Sequence, residues 1–257
     1  MGAIAVLEPF KKSIHNYELV DNPEGGADFA TLIMLLALGT IVGTFFVGPL
    51  MNWLGRRRMM IVGSLVIIVS SLLEVIPKDL LWLQIGRFFV GLGISFVTTS
   101  APTYCVEVAH PVFRGRAGAF YNTGWFVGAI PAAVILYGMA FVETDLAWQL
   151  PLLLQAVFSG IVLLGSLFIP ESPRWLMSKG RMDEAREFFI KYHADGNEHD
   201  PIVDQQINDF LAVNQETKTS SNFLELFKKR DDRYRVFILV CVGFFSQWAG
   251  MFSTILL

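Results

Sequence analysis

Apolar residues in this chain fall into long unbroken runs, not into the alternation of a half-buried strand or the one-sided stripe of a surface helix. Six runs have about the length that crosses a bilayer as a helix, roughly 20 residues. They cover residues 29–51, 59–76, 80–99, 117–142, 146–169 and 236–257. Each predicts a helix, because in lipid every backbone polar group has to be bonded within its own segment. A water-soluble chain of 257 residues would have to bury all six on every face, and it has too little chain to do so. The pattern predicts an all-α, multi-pass membrane protein in contact with the lipid bilayer.

Between the fifth and sixth runs the character changes. The fifth stops at Pro170-Glu171-Ser172-Pro173-Arg174-Trp175-Leu176. Two prolines around a Glu-Ser pair end a helix and fix the direction of the exit, since proline cannot continue the helical ladder and restricts the residue before it. Within the charged stretch that follows, Met182, Ala185, Phe189 and Tyr192 share one helical face, as do Val203, Ile207 and Phe210 further on. Gly196-Asn197 and Pro201 separate the two patterns. They read as solvated helices that lay an apolar stripe on the membrane domain.

Composition agrees: charged residues make up 17%, against about 25% in a typical soluble domain. Of the 20 Lys and Arg residues, 11 lie between Arg174 and Arg235. Basic residues in the loops also orient the chain. Arg56-Arg57-Arg58, then Arg114 and Arg116, then the stretch after Arg174 occupy alternate loops and belong on the cytoplasmic face. The opposite loops, around Lys78 and Glu143, lack that excess. Cys105 and Cys241 lie in or beside apolar runs and read as small hydrophobes. The four histidines are scattered without metal-ligand spacing. No nucleotide cradle or catalytic triad is visible, so neither an enzyme, a cofactor, a metal nor a nucleic-acid partner is expected.

The domain reading is four-part. Residues 1–28 are the remnant of a first span and an outer loop, and 29–170 a transmembrane bundle. Residues 171–235 form a cytoplasmic linker with short helices, and 236–257 begin a second bundle. Residues 1–10 are apolar but too short to span and lack the basic start of a signal peptide; the last apolar run reaches Leu257 with no polar terminus. Both ends read as cut.

Taken in order, Gly48…Gly55-Arg56-Arg57, Gly86-Arg87-Phe88…Gly91-Leu92-Gly93, Pro102-Thr103-Tyr104…Glu107, Arg114-Gly115 and Pro170-Glu171-Ser172-Pro173-Arg174 resemble the sugar porters of the major facilitator superfamily. Tyr121-Asn122-Thr123-Gly124-Trp125-Phe126 and Phe245-Ser246-Gln247-Trp248 are most similar to fungal lactose-permease-like and hexose transporters. The resemblance implies spans two to six of a twelve-span design, with a remnant of span one, the cytoplasmic amphipathic helices and span seven. It implies transport of a hexose or disaccharide by alternating access, coupled to protons, at the plasma membrane. An incomplete carrier without uptake activity and a non-transporting sugar sensor stay open as alternatives.

Residue by residue, the resemblance makes Asn122 and Gln247 sugar-binding amides, with Trp125 one turn on to stack on the sugar ring. Interhelical hydrogen bonding is the plain alternative for both amides, and a lipid- or core-facing ring the plain alternative for Trp125. Arg56, Arg57, Arg114 and Arg174 would face Glu107 and Glu171 across the cytoplasmic mouth as gate salt bridges; topology anchoring alone also accounts for the arginines. Where the family places an Asp, four residues after Gly48, this chain has Asn52. Arg87 stands inside an apolar run, where a cation is costly and needs a partner or an outlet to the surface. In proton-coupled relatives that Arg neighbours an Asp of the first span, which makes Arg87 the coupling candidate and leaves it here without its expected partner. Gly91 and Gly93 read as close helix packing, and Gly118, Gly124 and Gly128 in the next span are expected to do the same.

Overall fold

The computed structural model describes residues 23–76, 79–218 and 230–255, with side chains described over 30–76, 79–212 and 233–245. Helix α1 (Pro23–Leu54) turns into α2 (Arg56–Val75) through a single residue. That residue is Gly55, at φ 97°, a backbone conformation that side chains with a Cβ rarely adopt. Helix α3 (Leu80–Val108), a 3-10 turn (Pro111–Phe113), α4 (Arg114–Met139) and α5 (Leu146–Phe168) follow. Three shorter helices come next: α6 (Pro173–Ser178), α7 (Met182–His193) and α8 (Pro201–Lys218). The last is α9 (Arg230–Ile255).

Among the described residues five helices are long and apolar enough to cross a membrane. They match the first five apolar runs, but most run past them. Helix α3 continues to Val108, well beyond the expected end near 99, and α2 begins at Arg56 instead of 59. The run ends where apolar side chains end, whereas the backbone ladder continues as long as its polar side chains find partners, as Arg56 and Glu107 do in each other. The sixth run, as far as residue 255, lies in α9, whose backbone is helical from Arg230.

Helices α1, α2 and α3 pack with almost no side chain between their backbones. A Cβ on Gly39 of α1 would lie 1.9 Å from the carbonyl oxygen of Phe88, and one on Gly91 of α3 would lie 2.1 Å from that of Leu36. Gly93 is similarly seated against Gly63 and Ile67 of α2. Small residues permit such approach where lipid offers no hydrophobic drive for association. At the end of the bundle where α2 meets α3, Leu32, Val75, Leu83, Trp148 and Leu152 join α1, α2, α3 and α5 in one buried cluster. Towards the opposite end, Val47, Met59 and Phe96 form a second.

Helix α4 differs: none of its residues is buried. The close packing expected at Gly124 and Gly128 is absent, since no heavy atom stands within 4 Å of a Cβ built on either. Gly118 has only Val106, at 3.9 Å. Large apolar side chains lie open elsewhere too, among them Phe45, Phe120 and Phe168 at 77%, 82% and 86% exposure. That is the surface of a body solvated by hydrocarbon rather than water.

The chain divides into two compact units after His193, inside the stretch read as a linker. In the first unit, α7 buries Ala185, Phe188 and Phe189, spaced for one helical face. Tyr192, expected on that face, is 49% exposed, and Phe188 takes its place. The rings of Phe188 and Phe189 both lean on His193, whose Nε2 is 3.0 Å from the Val108 carbonyl oxygen. His110 stacks edge-on against His193 at 5.3 Å. Two histidines that are 83 residues apart in sequence thus meet where α7 seats on the end of α3. In the second unit, α8 buries Val203 and half-buries Ile207 and Phe210.

Candidate functional site

The motifs expected on the cytoplasmic face converge on the exit of α5. Ser172 caps α6, its hydroxyl accepting from the Trp175 backbone N–H, with Pro173 at the first helical position where its missing N–H costs nothing. The side chains around that cap reach into the other helix ends. Tyr104 donates from Oη to the Pro170 carbonyl oxygen at 2.9 Å, and Trp175 donates from Nε1 to the Asn52 carbonyl oxygen at 3.1 Å. Ser172 Oγ donates to Glu107 Oε2. The ends of α1, α3 and α5 are thereby tied to one short helix.

Two charged groups then cap helices reciprocally. Glu171 Oε1 accepts from the backbone N–H groups of Arg56 and Arg57, each at 3.0 Å, at the start of α2. Arg57 in turn donates from Nε to the Ser166 carbonyl oxygen at 2.9 Å and from Nη2 to that of Leu167 at 2.8 Å, at the end of α5. An anion at a helix N-terminus and a cation at a C-terminus both complement the helix dipole and satisfy groups the helix leaves open. This corrects the expected guanidinium–carboxylate pairing of Glu171: its partners in α2 are backbone amides.

One expected side-chain pair is present as an ion pair. Arg56 Nε lies 2.8 Å from Glu107 Oε2, and its Nη2 donates to Oε1 at 2.9 Å, with the two side chains 13% and 10% exposed. All these contacts lie inside one bundle, joining neighbouring helix ends, because the turns at Gly55 and Pro170 emerge side by side. Arg174 is exposed and makes no salt bridge among the described residues; Arg114 stands half-buried at the first residue of α4. Asn52 presents its side chain to the exterior, so the residue's contribution to the cluster is its carbonyl oxygen. A double-mutant cycle on Arg56→Ala and Glu107→Ala should return a coupling of about 1–2 kcal/mol, as for a two-point, largely buried pair. Thermal unfolding of the four proteins measures it, and strictly additive losses would remove the pair from the cluster.

Arg87 is neither alone nor directed to the surface. It is buried, and its Nε lies 3.2 Å from Oε1 of Glu74, near the C-terminal end of α2. The acid inside the second apolar run was the available signal: an intramembrane Glu near an intramembrane Arg is a pair by default.

Asn122 and Trp125 sit one turn apart on α4, midway along a helix with no buried face. Trp125 is 77% exposed. Asn122 is exposed and makes no hydrogen bond among the described residues, so it does not act as interhelical glue there. The side chain of Gln247 lies outside the described residues. A cleft of about 350 Å³ is present elsewhere, lined by Arg57, Arg58, Glu171, Trp175, Lys191 and Tyr192 among others. Its charges of both signs and its place at the exit of α5 set it apart from the flank of α4.

The chain is 28% identical to the sugar transport protein MST3 of Oryza sativa subsp. japonica over 221 residues, 86% of this chain and 42% of that protein. It is 29% identical to the glucose transporter GlcP of Staphylococcus epidermidis over 236 residues, 91% of this chain and 50% of that protein. A quinate permease of Neurospora africana is 32% identical over 162 residues, 61% of this chain and 30% of the permease. The chain thus spans at most about half the length of these relatives. The fold is similar to that of the proton:xylose symporter XylE bound to 6-bromo-6-deoxy-D-glucose, with a TM-score of 0.74 at 18% identity over 88% of this chain and 52% of that one. The inward-open form of XylE from E. coli gives 0.68 at 18% identity, over 86% and 53% of the two chains. Residues 1–257 match the family described as "Sugar (and other) transporter", and with five such helices in this fold the chain belongs to that family of multi-pass membrane transporters.

Proposed function

We propose that this chain supplies one helical bundle and the start of a second to a carrier that moves a sugar by alternating access, with protons as the coupled ion, in the plasma membrane. The observation that carries the reading is the uncovered flank of α4. It presents an amide and an indole one turn apart within an otherwise apolar span. A sugar needs that chemistry: amide donors and acceptors for its hydroxyls and a flat apolar face for its ring. Membership of the family and its relatives named for sugar and glucose transport support it. The quinate permeases among them widen the substrate class to other hydroxylated rings. Gln247 would add a second amide from α9, and Arg87 a buried cation for coupling. The cytoplasmic cluster of Arg56, Arg57, Glu107, Arg114, Glu171 and Arg174 would hold the inner helix ends in a defined arrangement that the transport cycle loosens and remakes.

Uptake of radiolabelled sugar by the protein as expressed in its own membrane tests this, with and without a protonophore. Asn122→Ala should raise KM about tenfold, the loss of one or two hydrogen bonds to a neutral ligand. The amount of protein in the membrane should stay the same. Uptake kinetics identical to wild type would remove Asn122 from the sugar site, and uptake indifferent to the protonophore would remove the proton.

A further inference from the structure

Residues 109–113 connect α3 and α4, two helices that are each long and apolar enough to cross a membrane. Helix α3 has 29 residues, a rise of about 43 Å. A bilayer with both headgroup layers measures about 40–45 Å, so the connection lies at headgroup depth. What it presents there is apolar: Val112 is 74% exposed and Phe113 53%. The tip is also held in shape. The Phe113 N–H donates to the His110 carbonyl oxygen at 2.9 Å, and the Val112 N–H to His110 Nδ1 at 3.4 Å. His110 in turn rests edge-on against His193 of α7.

Residues 109–118 carry Arg114 and Arg116 and no acid. Both arginines stand in the first turn of α4, the end of a helix whose dipole disfavours a cation. Arg116 is exposed and forms no ion pair among the described residues. Its guanidinium carbon lies 5.8 Å from the centroid of the Phe113 ring, which keeps the cation beside the apolar tip. The connection between α4 and α5 makes the contrast. It too exposes a ring, Phe141 at 72%, but residues 140–145 hold Glu143 and Asp145 and no Lys or Arg. An apolar tip with cations suits a phosphate-bearing surface; one with acids does not.

We infer that this connection is a docking site for an anionic phospholipid of the adjoining leaflet. Val112 and Phe113 wedge among the upper acyl chains, and Arg116 takes the headgroup phosphate. A phosphate offers oxygen acceptors that a planar guanidinium matches in pairs. The acyl chains cover apolar surface that would otherwise meet water. A soluble phosphate answers only the first need, so the occupant is the lipid. A choline headgroup would bring a third cation to the two arginines, which selects the anionic lipid over the zwitterionic one. Through His110 and His193 the bound lipid also steadies the place where α7 seats on α3. The site goes beyond the carrier reading and does not depend on it.

Two measurements on the full chain test the wedge and the headgroup separately. For the wedge, a fluorophore is attached to the thiol of Val112→Cys, with Cys105→Ser and Cys241→Ser in the background. In nanodiscs of mixed phosphatidylcholine and phosphatidylglycerol, a nitroxide high on the lipid acyl chain should quench it more than a water-soluble nitroxide. Quenching mainly from water, or from neither as for a covered tip, overturns the wedge. For the headgroup, native mass spectra follow phosphatidylglycerol and phosphatidylcholine titrated into the detergent-solubilised protein. Phosphatidylglycerol should bind the more tightly, and Arg116→Gln should weaken it about fivefold, as for one basic residue at a lipid surface. Phosphatidylcholine binding should not change, and Arg116→Lys should recover most of the loss. Equal binding of phosphatidylglycerol by wild type and Arg116→Gln, or an equal loss for both lipids, overturns the anionic site. Glycerol phosphate at the same concentration should not displace the lipid; displacement overturns the lipid as the occupant.

Discussion

Glu171→Ala should lower the thermal midpoint of the purified protein by about 5–10 °C, a loss of about 2–3 kcal/mol. The carboxylate holds two backbone amides of α2 at 3.0 Å and that of Ser172 at the same distance, all on one oxygen. Charge-assisted bonds contribute about 1.5–3 kcal/mol each when singly removed. Three on one oxygen cannot add fully, and the site is half-exposed, so water recovers part. What is left is the N-terminus of α2 without its anion, facing a guanidinium of Arg57 that remains bound at the end of α5. Glu171→Gln keeps an acceptor oxygen but not the charge, and its loss should fall between. A midpoint unchanged in the alanine variant would show that water replaces the carboxylate at no cost and would remove Glu171 from the scaffold.

Gly39→Ala or Gly91→Ala should each cost about 3 kcal/mol or more and reduce the monodisperse yield, because a single methyl meets backbone at about 2 Å on both. The neighbours are the carbonyls of Phe88 and Leu36, which cannot rotate away as the end of a side chain would. The helices themselves must separate, opening the contacts beside them. Gly124→Ala and Gly128→Ala give the internal control with the opposite sign. Nothing stands within 4 Å of either added methyl, so only helix propensity acts, stabilising by a few tenths to about 1 kcal/mol. If all four variants melted alike, the close crossing of α1 and α3 would be wrong.

These glycines show how far the sequence reads. Gly91 and Gly124 are each a glycine in an apolar run, and small-residue packing is the natural reading of both. Which one meets a neighbour depends on how the helices are arranged. The cytoplasmic cluster divides the same way. Arg56, Glu107 and Glu171 were visible as charges at membrane boundaries, where polar groups in short loops cannot avoid one another. That Glu171 would choose amides and Arg57 carbonyls was not visible, since a backbone group carries no residue-specific mark. Glu74 was legible in principle, as an acid inside a span. Its pairing with Arg87 is not local, since only the packing of α2 on α3 brings the two side chains together.

By itself the sequence determined that the chain is helical and crosses a membrane, and where its charges concentrate. Hydrocarbon leaves a backbone one local solution, so the helices follow from composition read in order. Only the tertiary structure decided the partners: Glu74 for Arg87, backbone amides for Glu171, and an uncovered flank for Asn122 and Trp125. Partner choice depends on distances of a few ångströms between helices far apart in the chain, and no local pattern encodes those.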